Sequence, residues 1–80
     1  MIAERQRSNP FWHYSRSRAA YEQGNFVEAV EAIRRAIYLD RDEYRYYQFA
    51  AIVYKAKGDR DKYQEYALKA AELKLSSDAN

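Results

Sequence analysis

His13 is the one imidazole in the chain and the one side chain whose ordinary pKa suits proton transfer near neutral pH. No nucleophile with an orienting acid lies near it in the sequence, so it has no set of partners with which to act. The pairs Asp40/Asp42 and Asp59/Asp61 have the spacing of the first two ligands of a calcium loop. Neither is followed by the third oxygen ligand and the glycine that such a loop needs to turn around its ion. Without cysteine there is no thiolate metal site and no disulfide framework. The two glycines do not form a loop that could cradle phosphate. The expectation is a protein that is not an enzyme and uses neither metal nor cofactor.

What remains chemically distinctive is tyrosine interleaved with arginine and lysine. The nine tyrosines cover surface as readily as they fill cores. Net charge is only +2, but it runs positive, negative, positive along the chain. Residues 1–23 carry four Arg against two Glu, residues 24–43 three Arg against five acids, and residues 44–80 seven Lys/Arg against five acids. So small an excess argues against a nucleic-acid binder, where a clearly basic domain is expected. The longest apolar run, Phe49 to Tyr54, is far too short to span a bilayer, and the first five residues lack the apolar core of a signal peptide. A cytoplasmic protein with no membrane segment is expected. Eighty residues make one small domain, and two Gly with one Pro are too few for a many-stranded β fold.

The elements that position these residues are helices. Phe26, Ala29, Val30, Ile33 and Ile37 share one helical face, with Glu28, Glu31, Arg34 and Arg35 off it. Asn25 and Glu28 form a capping-box pattern at its start, and Gly24 suits the left-handed end of a preceding helix. The same grammar returns thirty-four residues later, where Gly58-Asp59 matches Gly24-Asn25. At that offset Ala36 falls on Ala70 and Leu39 on Leu73. Asn9 followed by Pro10 opens a helix to about residue 23, and Asp40 with Glu43 reads as a capping box opening another to about residue 57. Four helices with short connections follow, in a domain spanning 10–75 with repeats at 10–43 and 44–75. Residues 1–9 read as an N-terminal extension and 76–80 as a flexible tail.

A helix–turn–helix unit of 34 residues resembles the tetratricopeptide repeat. Tyr47, Ala50, Ala51 and Tyr54 match the first half of that pattern in the second repeat, and Ala29 and Ile33 match its second half in the first repeat. Ala36, Leu39 and Asp40 resemble the family's closing residues. The departures are specific. Trp12 stands one residue early, and His13, Arg16, Ser17 and Ala20 occupy first-helix positions. Tyr63 and Ala67 exchange large for small, and the closing proline is absent. The resemblance implies an all-α fold, two antiparallel hairpins stacked as a short α-solenoid, and a protein–protein interaction module.

In such a module the first helices face a groove. By the alignment they present Phe11, Tyr14, Arg18 and Tyr21 from one repeat and Arg45, Gln48, Ile52 and Lys55 from the next. That mixture suits a peptide or protein partner with apolar anchors and acidic groups. Tyr14, Arg18, Phe49 and Ile52 replace the polar residues with which some family members clamp a terminal carboxylate, so that specificity is not implied. The rival reading is an RNA-binding module using Arg5, Arg7, Arg16 and Arg18 with the neighbouring aromatics. Two repeats also leave ends uncovered. Leu68, Ala71 and Leu75 make an apolar strip on the last helix, and a homodimer through it is expected, while Trp12 and Ala19 face the opposite end.

Overall fold

The computed structural model describes residues 7–78. These contain four helices: α1 (Pro10–Glu22), α2 (Phe26–Leu39), α3 (Tyr44–Lys57) and α4 (Arg60–Asp78). The fold is all-α. α1 packs on α2 and α3 on α4 as antiparallel hairpins, and the hairpins stack chiefly through α2 and α3.

The two hairpin turns are built alike. Gly24 and Gly58 both have positive φ, +77° and +89°. In the first turn the Asn25 N–H donates to the Ala20 carbonyl (2.8 Å) and the Gly24 N–H to that of Tyr21 (3.0 Å). In the second, Asp59 N–H donates to Tyr54 (2.9 Å) and Gly58 N–H to Lys55 (3.1 Å). This is the same pair of closing bonds, displaced by thirty-four residues, and it satisfies carbonyls that a helix end leaves free.

The helix starts are capped as well. Asn9 Oδ1 accepts from the Phe11 N–H (3.0 Å), ahead of Pro10 at the first helical position. Asn25 Oδ1 accepts from Glu28 N–H (3.4 Å), and Asp59 Oδ1 from Lys62 N–H (3.1 Å). Glu28 answers through the Asn25 side chain, whose Nδ2 donates to Glu28 Oε2 at 2.9 Å, rather than through the backbone amide of a capping box.

One expected cap is wrong. Asp40 does not open α3; its N–H still donates to the Ala36 carbonyl (3.0 Å) and closes α2. The α3 cap is Glu43, whose carboxylate accepts from the Arg45 N–H (3.3 Å). Tyr47 Oη holds the intervening turn by donating to the Arg41 carbonyl (3.0 Å). α4 runs three residues past the expected boundary, to Asp78.

The core lies between α2 and α3. Ile33, Ala36, Tyr46 and Ala50 form one buried cluster, and Ala20, Ala29 and Val53 another, with Phe49 packed against both. Ala29 and Ile33 are fully buried, while Phe26, Val30 and Ile37 are half-buried at the edges of the α2 face. Ser17 locks α1 to α2 by donating its hydroxyl to the Ala29 carbonyl at 2.6 Å inside the core. α4 buries only Ala70 completely.

A candidate interaction surface

The eight residues expected to share a groove divide between two settings. Tyr14 and Tyr21 are half-buried wedges between α1 and α3. Tyr14 meets Tyr46 at 5.2 Å and Phe49 at 5.7 Å between ring centroids, and Tyr21 meets Phe49 at 5.6 Å and Phe26 at 5.7 Å. Their rings hold the hairpins together. Phe11 is 63% exposed beside Tyr14, and the Arg18 guanidinium lies 5.8 Å over the Tyr14 ring. That contact keeps a cation over an aromatic face on the surface of α1.

The α3 residues lean the other way, towards α4. Gln48 and Ile52 line a groove of about 440 Å³ whose far wall is α4, with Ala67, Ala71 and Lys74. Lys55 lines an adjoining depression with Arg60 and Tyr63, its ammonium 5.4 Å from the Tyr63 ring centroid. Arg45, at the start of α3, pairs with the carboxylate of Glu43. That hydrogen bond lowers the Glu43 carboxyl below its ordinary range and raises the Arg45 guanidinium, against a smaller opposing effect of desolvation in each.

Sequence reasoning missed the α4 wall: Tyr63, Ala67 and Lys74. Subtracting thirty-four from the first two gives Ala29 and Ile33, which are fully buried under α3. That correspondence was available from the repeat alone.

Leu68, Ala71 and Leu75, spaced i, i+3 and i+7, share the exposed side of α4, with a depression on either side of them. Leu68 borders a depression with Ile37, Tyr47 and Tyr66, whereas Ala71 faces the α3 groove. Leu75 is 70% exposed beyond both. At the opposite end Trp12 is half-buried under the Arg16 guanidinium, and Ala19 is exposed.

His13 is buried, and its Nε2 donates to the Arg7 carbonyl at 2.7 Å. Its Nδ1 has no hydrogen-bond partner among the described residues, and the ring packs edge-on against Trp12. Among the described residues no group of His, Asp and Glu is placed to hold a metal ion, and no helix is long and apolar enough to cross a membrane. Arg5 lies outside the described residues. Comparison with models of known protein families and with curated proteins finds no match to this sequence.

Proposed function

We propose that this chain is a tetratricopeptide-like interaction module, an adaptor or scaffold that binds a protein or peptide partner carrying apolar and acidic residues. The matched turns at a thirty-four-residue offset support the helical-repeat part of this reading. The observation that carries the binding part is the pairing of exposed apolar groups with exposed cations on α1 and α3. Phe11 and Ile52 stand out at 63% and 47% exposure, with Arg18 and Lys55 exposed near them in sequence. Large apolar side chains flanked by cations are what an acidic, aromatic partner segment can use as anchor points. Leu68 and Leu75, exposed along the outside of α4, support pairing of two copies there as an accessory property.

The test is fluorescence anisotropy with a labelled peptide rich in Glu, Phe and Trp. Arg18→Glu or Arg45→Glu should weaken binding about three- to tenfold while helicity is unchanged. Chemical-shift changes confined to Glu28, Glu31 and Arg35 would put the partner on another face and defeat this reading. Binding to single-stranded RNA that collapses as salt is raised, with no peptide binding, would replace it with a nucleic-acid function.

A further inference from the structure

α3 sits on the first hairpin over Tyr14, Ala29, Ile33, Ala36 and Ile37. Adding thirty-four to each number gives Gln48, Tyr63, Ala67, Ala70 and Ala71, and all five line the single groove between α3 and α4. The groove is therefore the positional counterpart of a seat that this molecule already fills with a helix. Its ends are marked by cations. Lys74 lies 6.0 Å over the Tyr44 ring at the start of α3, and Lys55 lies over Tyr63 at its end.

We propose that this groove binds an acidic amphipathic helix of a partner protein, lying parallel to α3. The proposal rests on the reading of the chain as an interaction module and names the seat and the kind of partner. α3 itself is the template for the contact face. It presents Tyr46, Phe49, Ala50 and Val53, spaced i, i+3, i+4 and i+7, to the first seat. In the second seat Ala67 and Ala71 stand where Ile33 and Ile37 stand in the first, so the occupant has room for larger side chains there. Charge selects the partner. The groove and the depression adjoining it carry Lys55, Arg60 and Lys74, with no carboxylate among their lining residues. Acidic residues near both ends of the incoming helix meet that field.

A second copy of this chain does not fit the role. In a continued stack its α1 would enter the groove, and the residues at the α3 contact positions would be Trp12, Ser15, Arg16 and Ala19. Arg16 would bring another cation between the lysines, and head-to-tail contacts of this kind do not close.

The test uses a lactam-stapled peptide of the α3 sequence, residues 44–57, carrying Arg45→Glu, Lys55→Glu and Lys57→Glu, against the same stapled peptide without them. Anisotropy with the full chain should show the acidic peptide binding about tenfold more tightly, as expected for two or three exposed charge pairs. Lys55→Glu with Lys74→Glu in the protein should reverse that preference. Ala71→Glu, at an exposed wall position, should abolish binding of both peptides, and Val27→Ala, at an exposed apolar position on α2, should leave it unchanged. Equal affinity for the two peptides, or binding insensitive to Ala71→Glu, overturns the proposal. If the acidic helix fails to bind while the Glu/Phe/Trp peptide still binds and responds to Arg18→Glu, the groove assignment falls and the interaction reading stands. Failure of both peptides removes both. Sedimentation showing a dimer that Ala71→Glu dissociates would make the occupant a second copy, against the proposal.

Discussion

On the first hairpin, the face that meets α3 carries Ala29, Ile33 and Ala36 at zero exposure; on the second, the matching Tyr63 and Ala67 are half-buried and border open solvent. Both hairpins are closed by the same turn with the same pair of backbone bonds. Their interiors are joined differently. Ser17 locks α1 to α2 through a buried hydrogen bond, and its counterpart Ala51 has no such group. The second hairpin instead stacks Tyr54 on Tyr66, centroids 5.3 Å apart and planes at 18°, where the first has the small residues Ala20 and Ala32. Turn chemistry thus determines that a hairpin forms. Side-chain volume and polarity on its outer face determine whether that face becomes core or surface.

The sharpest way to break this comparison is to treat matching positions alike. Ile33→Ala should destabilise the fold by about 3 kcal/mol in chemical denaturation, because it removes a fully buried side chain that cannot be replaced by water. Ala67→Leu at the half-buried counterpart should change stability by less than about 1 kcal/mol, because the added atoms extend into an open groove rather than a packed core. Equal effects at the two sites would mean that the α3–α4 groove is covered in solution.

Gly24→Val and Gly58→Val should each lower stability by about 1–2 kcal/mol. A Cβ at either position would meet nothing within 4 Å, so the whole penalty comes from holding a β-branched residue at positive φ. The two values should agree, and a twofold difference in thermal-melt ΔΔG would argue that the turns are not equivalent.

Alkaline titration probes the tyrosines. Desolvation raises the ionisation of Tyr46, Tyr47 and Tyr54 above the ordinary value of 10.0. Below pH 10.0 their contribution is fully present; above it the unfolded chain loses these protons first, and stability falls until the folded-state values are passed. Denaturation midpoints measured from neutral to strongly alkaline pH should show that decline, and Tyr54→Phe should flatten part of it. The smallest effect on stability is expected for Leu68→Glu with Leu75→Glu, within about 0.5 kcal/mol. Its readout is sedimentation, where any pairing along the outside of α4 should disappear.

Much of the fold was legible because its signals are local. Glycine followed by a capping residue marked both hairpin turns, and Asn9-Pro10 marked the first helix start. Asp40 misled because the same residue type can close one helix or open the next, and the Ala36 carbonyl claims its amide first. α1 was harder to orient. It buries His13, Ser17 and Ala20, none of them a large apolar residue, so the period of its apolar residues does not point at its buried face. The candidate surface was legible as a set of residue types and only partly as a place. Phe11, Arg18, Ile52 and Lys55 are exposed, but Ile52 and Lys55 face α4 rather than the α1 stripe, while Tyr14 and Tyr21 were claimed by contacts with Phe49 of a different helix.

By itself the sequence determined the number of helices, the positions of the hairpin turns and the thirty-four-residue period, since each depends on backbone bonds and caps within about six residues. Only the tertiary structure decided which tyrosines are wedges and which are surface, and which depressions border the exposed Leu68, Ala71 and Leu75 side of α4. It also decided that Gln48 and Ile52 face a groove walled by α4 rather than the stripe on α1. Burial is a property of neighbours, and here the deciding neighbours are often far off in the chain. Tyr14 meets Phe49, and Gln48 shares its groove with Lys74. No local rule reaches across that separation.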